Sequence, residues 1–280
     1  MEKAIKRYFP IFVLPTMIAF TLGFIIPFVE GVYLSFCKFT TVNDAKFIGF
    51  ANYAKVFADE TFVHAFWYTA AFTVVSVILI NVLAFAVALL LTKGFKGTNI
   101  FRTVFFMPNL IGGIVLGYIW QLLLIGILMN FSRTLTYSST YGFWGLIILM
   151  CWQQIGYMMI IYIAGIQNIP GELIEAAEID GATKWQILKK VTIPMVMPSI
   201  TVCTFLTLTN SFKLFDQNLA LTNGEPSKMS EMLALNIFNT FYGRTGYEGV
   251  GQAKAVIFFI LVTVIALTQN YLTRRKEVQQ

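Results

Sequence analysis

Two short clusters of polar side chains interrupt long apolar stretches of the chain. Gln153, Gln154 and Tyr157, beside Trp152, form the first; Asn210, Ser211, Lys213, Asp216 and Gln217 form the second. Amides, hydroxyls and aromatic rings can hold a neutral polyhydroxylated solute by hydrogen bonds and stacking, with no covalent step. The same residues also suit hydrogen bonding between helices, and Lys213 and Asp216 have the spacing of a helical ion pair. Both readings stand on the sequence. Covalent chemistry has few candidates: no Ser/His/Asp arrangement and no metal-ligating cluster stands out, so no catalytic or metal-binding residue is expected. The single histidine, His64, falls in a polar segment and reads as a surface or interfacial residue. Gly94-Phe95-Lys96-Gly97-Thr98 is too short for a phosphate loop and lacks its terminal lysine. Cys37, Cys151 and Cys203 are widely spaced and sit in or beside apolar runs, as buried small residues do.

The elements that position these residues must be membrane helices. The chain is 57% hydrophobic and 12% charged, against about 25% charged residues in soluble domains. A soluble fold of this length cannot hide so much apolar surface. Apolar runs place six spans near 10–36, 67–92, 102–129, 143–167, 195–215 and 253–273. The fold class is therefore an all-α integral membrane protein. The run from Phe9 to Phe36 exceeds the roughly 7–15 residues of a signal-peptide core and ends in no small-residue cleavage site, so it reads as a retained helix. Pro15, Pro27, Pro108 and Pro198 fall inside spans, where neighbouring helices satisfy freed carbonyls. Glu30, in the outer part of the first span, is expected near the interface or paired rather than in the pathway.

The net charge of +6 is informative through its location and calls for no nucleic-acid partner. One face carries Lys3, Lys6 and Arg7, then Lys93, Lys96 and Arg102, then Lys184, Lys189 and Lys190, and finally Arg274, Arg275 and Lys276. The other carries half as many: Lys38, Lys46, Lys55, Arg133, Lys228 and Arg244. Positive residues stay inside, which puts both termini in the cytoplasm. Residues 1–9 are then a cytoplasmic N-terminus and 10–280 a six-helix domain. Outer segments fall at 38–66, partly helical, and at 216–252, with turn residues at Asn223-Gly224, Gly243, Gly246, Gly249 and Gly251. No internal repeat is visible. Trp67, Trp120, Trp144 and Trp152 read as lipid-facing, interfacial or packing residues.

One cytoplasmic loop, 168–194, has legible local physics. Pro170 opens a helix, and Glu172, Glu175 and Glu178 crowd its N-terminal part, as the helix dipole favours. Asp180-Gly181 stops it, with Gly181 free to turn left-handed. Thr183 and Gln186 have capping-box spacing for a second helix, Lys189 and Lys190 fall in its last turn, and Pro194 is expected to end it. The result is an exposed helix pair with small Ala176 and Ala177 and apolar Leu173, Ile174 and Ile179. Such a surface calls for a covering partner; a re-entrant or lipid-lying hairpin is the alternative.

Glu175-Ala176-Ala177, Asp180-Gly181-Ala182, Ile193-Pro194 and Pro198 resemble the EAA loop of permease subunits of ABC importers. Nearly the whole chain is similar to the carbohydrate branch of that family, the maltose/lactose/oligosaccharide permeases that resemble the maltose F subunit. Phe47-Ile48-Gly49-Phe50-Ala51-Asn52-Tyr53, Met107-Pro108 with Gly112-Gly113, and Phe215-Asp216 through Gly224-Glu225-Pro226 support that branch. The chain departs from the pattern at Leu188, often aromatic, at Ile193, commonly Leu, and at Glu225 in place of a glycine.

The resemblance implies a type I importer fold in a prokaryotic cell membrane. It implies a second permease, usually a different chain in carbohydrate importers, two ATPase subunits that carry ATP and magnesium, and an extracytoplasmic solute-binding protein. The chain itself would carry no cofactor and be no enzyme. Glu175, Ala176, Ala177, Asp180, Gly181 and Ala182 would seat in a cleft of the ATPase, and the pathway would pass a carbohydrate by alternating access. The alternatives are an ABC permease for a polyamine, phosphate or glycerol phosphate, an ion-coupled secondary transporter, and a membrane enzyme. An anionic solute would want more basic residues along the pathway than Lys213, and ion coupling would want titratable groups at the span centres.

Overall fold

The computed structural model describes residues 2–94 and 96–274. Arg275 and Lys276 lie outside them, as do the side chains of Lys3, Lys6, Arg7 and Arg274. In chain order the helices are α1 (Glu2–Phe20), α2 (Ile26–Leu34), α3 (Ala51–Phe57), α4 (Glu60–Leu91), α5 (Thr98–Phe106), α6 (Gly113–Met129), α7 (Ser139–Gln167), α8 (Gly171–Ile179), α9 (Lys184–Ile187), α10 (Ile193–Met195), α11 (Met197–Phe212), α12 (Asp216–Leu221), α13 (Leu233–Gly243) and α14 (Glu248–Arg274). Two two-residue strands, β1 (Cys37–Lys38) and β2 (Lys46–Phe47), pair antiparallel.

Four unbroken helical stretches are long and apolar enough to cross a bilayer: Ile11–Leu34, Glu60–Leu91, Ser139–Gln167 and Glu248–Thr273. Two bent pairs make six if each is one span. Thr98–Leu110 meets Gly113–Met129 at 102°, and Lys184–Met195 meets Met197–Phe212 at 69°. The third and fifth spans are thus broken rather than the continuous helices that hydropathy suggests. In the third, Pro108 sits in a 3₁₀ turn (Met107–Leu110), and Ile111 and Gly112 are extended. In the fifth, the break falls at Val196, between Pro194 and Pro198.

Pro194 does not end the second loop helix, contrary to the sequence expectation. The helix widens into a π turn over Leu188–Thr192, where the Ile193 amide donates to the Leu188 carbonyl, and runs through Pro194 to Met195. A π turn just ahead of a proline absorbs the ring's clash with the preceding turn. The first span repeats the device: the Thr21–Ile25 π turn precedes Pro27.

The chain divides into two compact units. One comprises the chain up to Glu60 with Ile237–Ile260. Within it, the β1–β2 hairpin closes over a 3₁₀ turn (Val42–Asp44) whose Thr41 and Asp44 form a capping box. The Asp44 carboxylate accepts from the Thr40 and Thr41 amides, which holds its pKa below the usual carboxylate range. The buried Asn52 amide donates to the carbonyls of Ser35 and Cys37 and ties α3 to the start of the hairpin. A Cβ at Gly249 would collide with the Cys37 carbonyl, so only glycine admits this approach. Lys254, fully buried on α14, donates to Asp59 at 2.7 Å and to the Thr240 hydroxyl at 2.8 Å.

The other unit comprises Thr61–Asn236 and the chain from Leu261 onward. Its core gathers Phe72, Ile80, Leu116, Leu146, Leu149, Met158 and Tyr162. Small residues set its close approaches. α6 packs on α12 where Gly117 faces Ala220 and Gly113 faces Asp216, a small-xxx-small stripe of the kind that lets membrane helices approach. Gly156 on α7 leaves room for the Phe105 carbonyl of α5, and Gly165 for Ser199 of α11. The Tyr162 hydroxyl donates to the Asn81 side chain at 2.6 Å and so links α7 to α4.

Candidate functional site

The break in the third span leaves the Ile111 carbonyl without a helical partner, because Ile111 and Gly112 are extended. Gln153 of α7 donates to it at 3.4 Å, and the Gln217 side-chain amide of α12 donates to the Gln153 carbonyl oxygen at 2.8 Å. Two amides therefore join the kink, the fourth span and the short helix that follows the fifth. The Gly113 and Gly117 contacts bring α12 close enough to do this.

Beside this chain of amides lies a cavity of about 300 Å³, at the small end for ligand pockets. Its polar lining is Gln154, Asn210, Lys213, Asp216 and Gln217. Gln154 is buried, and its carbonyl oxygen has no hydrogen-bond partner in the protein, as is also true of the Ser211 hydroxyl. An acceptor buried this way costs about 1–3 kcal/mol unless water or solute supplies a donor.

Five of the eight residues expected on the pathway thus line one cavity, and Gln153 braces it. Tyr157 does not line it; its ring packs against Phe106 with centroids 6.4 Å apart. Trp152 pairs edge-on with Trp120. Lys213 and Asp216 form no ion pair with each other. The reason is geometric: α11 ends at Phe212 and α12 begins at Asp216, so the two charges never share a helix.

The loop residues singled out by sequence form a compact device. α8 ends in a Schellman motif: the Gly181 amide donates to the Glu178 carbonyl and the Ala182 amide to the Ala177 carbonyl, with Gly181 at φ +75°. Ala177 and Ala182 are the half-buried pair that closes the motif, whereas Glu175, Ala176 and Asp180 are exposed. Thr183 and Gln186 complete a reciprocal capping box for α9. Ile179 is 86% exposed and Trp185 69%, so the paired helices present bare apolar surface.

Sequence reasoning missed several structural anchors. Lys254 lay unremarked in an apolar run. Asn218 holds the loop after α12 by donating to the Ser230 carbonyl and accepting from the Met232 amide. His64, read as a bland residue, contacts the Met229 carbonyl through Nε2 at 3.0 Å.

A family model described as the inner membrane component of binding-protein-dependent transport systems matches residues 80–278. The chain is 42% identical over 278 residues to a probable starch degradation products transport system permease protein of Thermoanaerobacterium thermosulfurigenes, covering 96% of this chain and 94% of that one. It is 28% identical over 289 residues to a multiple sugar-binding transport system permease protein of Streptococcus mutans, covering 99% of each. Among solved structures, a chain of a bacterial ABC transporter involved in import of the acidic polysaccharide alginate superposes with a TM-score of 0.82 over 98% of both chains. At 23% identity that likeness speaks to the fold.

Proposed function

The chain belongs to the inner membrane components of binding-protein-dependent transport systems, and we propose that it forms, with a second permease chain, the pathway by which an ATP-driven importer takes up a neutral oligosaccharide. It is a permease, a transport subunit rather than an enzyme. The observation that carries the substrate class is the cavity at the broken spans. Its donors and acceptors are mostly uncharged amides, and its two charges, Lys213 and Asp216, are of opposite sign. That balance suits hydroxyl groups better than a net anion or cation. The relative at 42% identity is named for starch degradation products, which makes α-linked glucose oligomers the first solutes to try.

The supporting arrangement extends to the cytoplasm. Residues 168–194 serve as the coupling segment, with Glu175, Ala176, Ala177, Asp180, Gly181 and Ala182 in a cleft of an ATPase subunit that holds ATP and magnesium. The segments 38–66 and 216–252 face outward toward a solute-binding protein. Broken spans suit alternating access, because a pre-existing bend lets two halves of a helix move as separate bodies.

The test is reconstitution of the chain with its partner permease, ATPase and binding protein in liposomes. Malto-oligosaccharides should accelerate ATP hydrolysis and accumulate inside. Gln154→Leu, which removes the unpartnered carbonyl without adding bulk, should lower uptake about tenfold at unchanged assembly. Stimulation by a polyamine or glycerol phosphate, with none by any sugar, would overturn the substrate class.

A further inference from the structure

A second cavity, about 330 Å³, lies within the larger unit on the face that carries the basic loops. That face is cytoplasmic by the positive-inside rule. The cavity is walled by the end of α4 and its following loop (Leu91, Thr92), the first residues of α5 (Thr98, Asn99, Ile100), Arg102 one turn on, and the last residue of α7, Gln167. Arg102 faces this space without a hydrogen bond or ion pair, and its Nε is buried with no partner. Arg102 as a whole is half-buried, and a guanidinium nitrogen taken out of water without a hydrogen-bond partner is unfavourable. Among the described residues no carboxylate lines the cavity, and none occurs between Leu91 and Arg102 in the sequence; Lys93 and Lys96 stand exposed in the adjoining loop.

We propose that this cavity is a binding site for a phosphate-bearing anion, filled by the headgroup of an anionic phospholipid of the cytoplasmic leaflet. The guanidinium fork matches two oxygens of a phosphate. The carboxamide of Gln167 and the hydroxyl of Thr92 offer further polar contacts at the rim. The two exposed lysines raise the local potential without entering the cavity. Lipid is favoured over a free phosphate because the site opens among the ends of membrane helices. Leu91 and Ile100 supply apolar wall, and Ile100 is 70% exposed beside half-exposed Phe101, as lipid-facing residues are. Basic pockets between membrane helices on the cytoplasmic side commonly take anionic headgroups.

Native mass spectrometry of the assembled importer tests this, with dioctanoyl phosphatidylglycerol and dioctanoyl phosphatidylcholine as probes. The wild type should bind phosphatidylglycerol at least tenfold more tightly than phosphatidylcholine. Arg102→Gln should abolish the preference, and Arg102→Lys should keep part of it. Gln167→Glu, nearly isosteric, places a carboxylate at the cavity and should abolish the preference even if Arg102→Gln fails to assemble. Lys93→Gln with Lys96→Gln should weaken binding less than threefold. Inorganic phosphate at millimolar concentration separates the sources. Competition would show that free phosphates also enter, and its absence that the lipid headgroup is required; the phosphate site stands either way. An unchanged preference in both Arg102→Gln and Gln167→Glu, or an equal loss in the double lysine variant, would overturn it.

Discussion

At the scale of single residues, the chain shows how a short motif encodes a shape. Gly181 sits at φ +75°, where any L side chain with a Cβ costs roughly 1–2 kcal/mol. Gly181→Ala should therefore loosen the Schellman closure and lower transport several-fold, while Gly181→Asn, which tolerates the left-handed region, should retain more. Uptake assays on membranes with equal amounts of chain would read the difference, and equal activity of the two variants would argue against a conformational role. This position was legible from sequence because helix-stop chemistry is local. So was the capping box, since Thr183 and Gln186 satisfy each other without help from the rest of the fold. The partnering of Gln153 and Gln217 was not legible. Their types marked them as polar residues in apolar runs, but the hydrogen bond between them spans 64 residues of sequence and depends on a bend elsewhere.

At the scale of elements, hydropathy located the membrane helices but not their breaks. A run of apolar residues looks the same whether it is straight or bent, and proline alone does not decide between them. Pro27 and Pro194 are carried through by π turns, whereas the chain breaks beside Pro108 and at Val196, ahead of Pro198. What distinguishes the third span is Gly113 just past the bend, where a Cβ would meet Asp216 at 2.8 Å, so that the bend packs closely on α12. The same blindness hid Lys254. An isolated lysine in an apolar helix gives no hint of its partner, and Asp59 is 195 positions away. Lys254→Met should take the ammonium away from the Asp59 carboxylate, whose side chain is 19% exposed. Removing one partner of a buried pair costs on the order of 3–5 kcal/mol. Lys254→Met combined with Asp59→Leu should recover most of the loss, since the pair is then replaced by apolar contact. Thermal unfolding of the purified importer checks both variants; equal destabilisation by the single and the double would show that packing, rather than the lost ion pair, sets the cost.

At the scale of the whole molecule, the exposed surface of α8 and α9 is where the chain depends on something outside itself. Ile179 and Trp185 are more exposed than an isolated soluble surface would keep them, and the carboxylates of Glu175 and Asp180 are exposed on the same loop. Exposed apolar residues beside charged ones are the composition of a docking surface in which burial supplies affinity and charge supplies register. The two contributions separate experimentally. Glu175→Lys reverses one charge without touching the helix ends, so it should weaken association with the ATPase at least tenfold, and high salt should weaken the wild type in the same direction but less. Ile179→Ser should weaken association with little dependence on salt. Pull-down of the ATPase on the affinity-tagged chain, at low and high ionic strength, reads all three. If both variants retain the ATPase as the wild type does, the helix pair is not the docking surface, and its bare apolar residues belong against lipid. If only Ile179→Ser loses it, docking is apolar and Glu175 acts later, in transmitting the nucleotide-driven motion, which uptake measurements at equal ATPase occupancy would then reveal.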